Sequence, residues 1–203
     1  SLICSGKAKI HNAGFKDLRL PSVVIDNLSC DITFDANKIL IETLTALFNS
    51  EQLKGNAVID SKKIKADIDL QKYKHNELAI ENIKGKITYS DNVISSNDLK
   101  FNVFGGSVSS KNCKLIFAQK ENILNANCEV KNINIKQAFK TLDNFSQNVI
   151  TDKNLEGNLS ANGVLNLYFD KDFNFLSDKS SFNINYNITK GRLKDFSLMK
   201  KLS

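Results

Sequence analysis

Strict alternation of apolar and polar residues is the feature that most limits how this chain can fold. In SFNINYNITKG, Ser181 to Gly191, Phe182, Ile184, Tyr186 and Ile188 take every second position, with Asn183, Asn185 and Asn187 between them. A pleated strand sends successive side chains to opposite faces, so the segment reads as a half-buried strand with one apolar and one amide face. The same pattern recurs along the chain. Ile64, Ala66, Ile68 and Leu70 alternate with Lys65, Asp67 and Asp69, and Leu99, Phe101 and Val103 with Lys100 and Asn102. Leu124, Ala126, Cys128 and Val130 repeat it, as do Leu159 through Leu165, Leu167 and Phe169. The expectation is a long antiparallel meander with one wet face.

Turn chemistry falls between these runs: DAN at Asp35 to Asn37, SDN at Ser90 to Asn92, FGGS at Phe104 to Ser107 and TKG at Thr189 to Gly191. Pro21 is the only proline, so no backbone lock interrupts the strands.

An internal repeat sharpens the fold expectation. IDNLSCDITFDANKILIETL from Ile25 aligns without a gap on IENIKGKITYSDNVISSNDL from Ile80, matching Asn27 with Asn82, Thr33 with Thr88 and Asn37 with Asn92. Alternation does not demand those asparagines and threonines. The copies cover about 25–60 and 80–117, with a partial third from Asn154 in NLEGNLSA. Each unit reads strand, turn, strand, turn, strand. A unit of that kind cannot bury its apolar face alone, so neighbours stack into an elongated sheet. The fold class is therefore mainly β: one curved antiparallel sheet forming a repeated groove over residues 1–203.

One helix interrupts it, expected over about 135–147. Ile135, Phe139, Leu142 and Phe145 form an apolar stripe, and Asn134 with Gln137 resembles a capping box. It is expected to plug or cap an end of the sheet rather than to lie on a membrane surface, being short and carrying only Lys136 and Lys140 as bases. A second helix is expected to begin in DFSLMKKLS at the C-terminus.

Composition excludes several classes. Hydrophobic residues make up 41% and charged residues 25%, ordinary for a globular chain and too polar for an integral membrane one. No apolar run approaches the roughly 20 residues of a spanning helix. The net charge of +6 is spread singly along strands, without the basic run or glycine-rich aromatic signature of a nucleic-acid binder. A solvated surface explains it first, and anionic lipid headgroups fit it as well as nucleic acid does. Because the chain opens at Ser1 without methionine, it reads as a piece of a longer protein, with any leader or anchor upstream.

Chemistry is sparse. Cys4, Cys30, Cys113 and Cys128 are too widely spaced for a zinc site, so buried free thiols are expected, with a disulfide open as the alternative. His11 and His75 stand alone in polar, turn-like contexts. No nucleophile elbow, phosphate loop or paired metal-binding histidines occur. DKNLEG at Asp152 to Gly157 imitates half of a calcium loop, but its twelfth position is Gly163 where a glutamate is required. Asp170 and Asp172 read as a charged turn rather than an acid/base pair. Neither a catalytic residue nor a cofactor is expected.

The runs NINIKQAFKTLDNFSQNVITDKNLEGNLSANGVLNLYFD and INYNITKGRLKDFSLMKKLS, with GKITYSDNVISSNDLKFNVFGGSVSS, resemble the C-terminal region of AsmA-like proteins, especially the Bacteroidota type. The likeness covers most of the chain from about Val23. It implies an inner-membrane anchor, absent here, with a periplasmic body similar to TamB and to bridge-like lipid transfer proteins, whose β-grooves guide phospholipid between membranes. Strands of five or six residues, crossing such a groove, span about 17–20 Å, close to the roughly 15 Å of one acyl chain. The lining candidates are Ile68, Leu99, Phe101, Val103, Leu115, Phe117, Leu165, Leu167, Phe182, Ile184, Tyr186 and Ile188. The alternative is a periplasmic scaffold that assists outer-membrane protein assembly, its groove closed as a packed sandwich. A sandwich leaves no inward apolar side chain unpacked, whereas a groove leaves a stripe.

Overall fold

The structure, a computed structural model, describes residues 5–16, 24–146 and 148–194. Twelve strands form a single curved antiparallel sheet. They are β1 (Gly6–Lys16), β2 (Val24–Phe34), β3 (Lys38–Phe48), β4 (Glu51–Asp60), β5 (Lys63–His75) and β6 (Leu78–Ser90). After them come β7 (Val93–Ser96), β8 (Leu99–Val103), β9 (Gly106–Phe117), β10 (Asn122–Asn134), β11 (Leu155–Phe169) and β12 (Ser181–Leu193). Each strand pairs with its neighbours in sequence, save that β7 and β8 lie end to end in one lane between β6 and β9. The expected meander is what the chain forms.

Hairpin turns account for three of the four turn signals. Asp35 Oδ1 accepts the N–H groups of Asn37 and Lys38 at 2.9 and 3.0 Å, closing the DAN turn. Asp91 and Asn92, at φ 51° and 62°, and Phe104 and Gly105, at 49° and 72°, supply the paired positive φ of hairpin turns that follow strand twist. The TKG segment is different. Thr189 to Gly191 lies inside β12, where Lys190, at φ 54°, faces a register shift beside Gly157. It is a bulge, and the strand runs on to Leu193.

Most strands hold 10 to 15 residues, about twice the expected length. Bulges explain why they continue. Asn12, Asn27, Thr43, Asn82, Asn112 and Asn132 all have φ between 48° and 59°, each at a shift in register with a neighbouring strand. An extra residue in the left-handed region bends the strand and increases its twist. It also resets the alternation, so that Ile41 and Leu44, three apart, pair with Ala57 and Gly55 on one face. Asparagine tolerates this conformation better than other non-glycine residues. Two bulges share a further device: the N–H of Asn12 donates to Ser29 Oγ at 3.2 Å, and that of Asn132 to Ser160 Oγ at 3.1 Å.

Strand boundaries keep the 55-residue offset. β2, β3 and β4 correspond to β6, the β7–β8 lane and β9. Thr43 corresponds to Asp98, where the second copy leaves the sheet and splits its lane. Thr43 Oγ1 donates to Asp31 Oδ2 at 3.2 Å, while Asp98 Oδ1 accepts the N–H of Lys86, the counterpart of Asp31, at 2.7 Å.

The helix α1 (Ile135–Thr141) is shorter than the apolar stripe implied. Asn134 caps it, accepting the Gln137 N–H at 2.9 Å. The reciprocal half of a capping box is missing, because the Asn134 N–H donates instead to Phe104 O at 2.9 Å. Asp143, Asn144 and Phe145 follow at φ 47°, 51° and 55°, a left-handed run that no right-handed helix continues through. Ile135 and Ala138 are buried, and the Phe139 and Phe145 rings meet edge to face at 5.0 Å. DFSLMKKLS lies outside the described residues.

Candidate functional site: an apolar trough

Side chains directly opposite one another on paired strands share a face, so the registers trace what each side of the sheet presents. One row runs Gly6, Phe34, Ile39, Ile59, Ile64, Tyr89, Ile94, Leu115, Leu124 and Leu167, crossing from β1 to β11 without a charged residue. A second runs Phe101, Val108, Val130, Ala161 and Tyr186, from β8 to the edge strand β12. All twelve lining candidates fall on this face. Ile68, Leu99, Phe101, Val103, Leu115, Phe117, Leu165 and Leu167 are half-buried. Phe182, Ile184, Tyr186 and Ile188 are exposed, by 68%, 38%, 71% and 46%.

The candidates omit the first half of the trough, where Ile10, Leu28, Ile32, Ile39, Ile41 and Ile59 share the same face. Bulges at Asn12, Asn27 and Thr43 break the period-two signal there. A readable mark was present. An asparagine between a charged residue or histidine and a small or apolar one recurs as His11-Asn12-Ala13, Asp26-Asn27-Leu28, Glu81-Asn82-Ile83, Lys111-Asn112-Cys113 and Lys131-Asn132-Ile133.

No second sheet lies over this face among the described residues. Buried apolar residues are few among the described residues: Cys30, Ala46, Ala126 and Ile133 on the sheet and Ile135 and Ala138 on α1, with no large side chain fully enclosed. Two elements fold over the β9–β11 end. One is α1, which packs on β10 and β11. The other is the loop between β11 and β12, where Phe173 meets Phe117 and Phe169 at 6.4 and 6.2 Å, and Phe175 meets Phe169 at 5.9 Å. Asp170 organises that loop. Its Oδ1 accepts the N–H groups of Asp172 and Asn174 at 2.9 and 2.8 Å, and its Oδ2 accepts Asn174 Nδ2 at 2.8 Å. These bonds to the charged form hold the Asp170 carboxyl below the usual range, as expected of a turn acceptor and not of a proton donor.

Three thiols belong to the lining. Cys30, Cys113 and Cys128 are free, and burial pushes Cys30 and Cys113 above the ordinary thiol range, so they stay protonated and behave as small apolar groups. Cys4 lies outside the described residues. His11 is exposed on β1.

The opposite face carries charge in register. Lys9 meets Asp31 at 3.1 Å, Lys84 meets Asp69 at 2.9 Å and Lys72 meets Glu81 at 2.6 Å, each pair directly across adjacent strands. Lys131 pairs with Glu129 along β10 at 2.8 Å, and Lys179 with Glu121. Opposite charges across a strand pair are worth a few tenths of a kcal/mol at most sites, so their main effect is to fix register and solubility. Among the described residues no cluster of histidine, cysteine or carboxylate side chains is suited to a metal, and no helix is long and apolar enough to cross a membrane.

No protein-family model matches this chain, and neither does any curated protein or solved structure. The site is thus characterised by its own geometry: an extended apolar surface open to solvent along most of its length, backed by a charged face.

Proposed function

We propose that this chain is a lipid-holding segment of an AsmA-like protein, anchored in the inner membrane when full-length and working in the periplasm. There it shelters the acyl chains of phospholipid moving between the inner and outer membranes. The observation that carries this reading is the apolar row from β1 to β11 with no second sheet above it among the described residues. Soluble monomers rarely leave so extended an apolar surface without an occupant. A tail lying on it stays out of water at about 0.8 kcal/mol per CH₂, and holding it needs no catalytic residue.

Strand length refines the fit. The bulge at Thr43 divides β3 into legs of five residues, Lys38 to Glu42 and Leu44 to Phe48, and β7 and β8 form two such legs of four and five. A five-residue leg spans roughly 17 Å and the four residues of β7 roughly 13 Å, so a bent strand offers one wall to each tail of a two-chain lipid and leaves the headgroup at the turns.

Native mass spectrometry of the purified chain, with extraction of whatever travels with it, tests the proposal. Phospholipid that is displaced by a competitor and lost in Phe101→Asp, with the β signal retained, supports it. A stably folded, lipid-free chain rules it out in favour of the non-catalytic scaffold.

A further inference from the structure

The two edges of the sheet differ. On β1 the edge is blunted by Lys7, Lys9, His11 and Lys16 and by the bulge at Asn12, the usual devices against edge pairing. On β12 nothing charged occurs from Ser181 to Thr189, no bulge interrupts that stretch, and every residue of the strand is exposed. Among the described residues β12 pairs with β11 alone, so no described strand meets its outer backbone groups.

From this geometry we infer that β12 is an interface with a second copy of the same chain, joined edge to edge about a two-fold axis near Asn185. The sequence of the strand is self-complementary in that register. Antiparallel pairing centred on Asn185 sets Phe182 against Ile188 and Ile184 against Tyr186 on the trough face, and Asn183 against Asn187 on the other. Apolar meets apolar and amide meets amide at every position, as an isologous contact requires. Pairing of β12 with β1 of another copy is disfavoured on two counts. The lanes alternate in direction, so β1 and β12 run parallel, whereas every pair in the sheet is antiparallel; and β1 presents lysines. The two-fold contact keeps both apolar faces on one side and extends the trough floor across the join. It stands independently of what the trough holds.

Sedimentation velocity of the 203-residue chain, thiols reduced, over a wide concentration range, reads the association directly. Twice the chain mass at high concentration is expected, with the dimer lost in Tyr186→Lys while circular dichroism stays unchanged. Mild oxidation of Asn185→Cys is expected to give a covalent dimer well above the wild-type background, and Lys9→Cys on β1 none. A monomer at every concentration with no Asn185→Cys cross-link overturns the inference, as does a Tyr186→Lys variant that dimerises undiminished. A ladder of higher species, with cross-links between Lys9→Cys and Asn185→Cys chains, overturns it in favour of head-to-tail pairing.

Discussion

Asn27 and Asn82, 55 residues apart, hold the same left-handed backbone, φ 51° and 54°, each at a bulge in the first strand of its repeat. The matched asparagines are therefore a conformational requirement of the fold. An L-residue in this region costs about 1–2 kcal/mol, least for asparagine and glycine, and a β-branched side chain fits it worst. Asn82→Val is expected to lower stability by about 1–2 kcal/mol, and Asn82→Gly to leave it nearly unchanged. Urea midpoints decide: equal midpoints for the valine and glycine variants would show that backbone conformation is not what the asparagine serves.

The same bulges set the limit on what the sequence reveals. Where a strand is regular on its apolar side, as in Ile64 to Leu70 or Phe182 to Ile188, alternation identified both the strand and the face it turns to the trough. In β3 the apolar spacing is two, three, two and two from Ile39 to Phe48, because Thr43 is inserted at the bend. Period two fails there, and half of the trough went unrecognised. Local chemistry misled in a similar way at Thr189 to Gly191, since glycine after a lysine suits a bulge as well as a turn. The helix end was hidden for another reason: Leu142 and Phe145 prolong the apolar stripe past the point where left-handed residues stop the helix.

Gly163 marks a close approach of β11 and β12. A Cβ there would fall 2.2 Å from Asn183 O and 2.8 Å from Ile184 Cα. Both are backbone atoms that cannot rotate away. Gly163→Ala is expected to cost about 1–3 kcal/mol, concentrated at the β11–β12 ladder. Hydrogen exchange should quicken at β12 amides, with β5 and β6 amides protected as before. Uniform loss of protection across the sheet would mean that the ladder does not open on its own.

Charge on the outer face gives stability a pH dependence of known sign. A lysine hydrogen-bonded to each of Asp31, Glu81, Glu129 and Glu156 holds its carboxyl below the usual range. A carboxyl lowered on folding contributes stability that is fully present above its unfolded value of about 4 and is lost as pH falls through the folded value. The urea midpoint should hold steady near pH 6 and decline below about pH 4. Because these groups are solvent-exposed and screened, the decline should be shallow and should shrink further in high salt. A steeper fall, unaffected by salt, would place the acid-sensitive groups elsewhere.

Asp170 fixes the loop that carries Phe173 and Phe175 onto the β9–β11 end of the trough. Phe173 sits at φ 63°, an unfavourable region for a bulky side chain, and its N–H donates to Asp170 O at 3.2 Å. The three side-chain bonds of Asp170 to Asp172 and Asn174 hold the turn that imposes this conformation. Asp170→Ala removes them without touching the sheet, whose rows run through Phe169 and Leu167. Cleavage by chymotrypsin after Phe173 or Phe175 is expected to become several-fold faster, with the urea midpoint of the whole chain little moved. Protonation should act in the same direction, so the wild-type loop should grow more cleavable by an acid-active protease once pH falls through the lowered Asp170 value. If the variant were cut no faster than the wild type, the aromatic contacts with Phe117 and Phe169, and not the carboxylate, would be what holds the loop down.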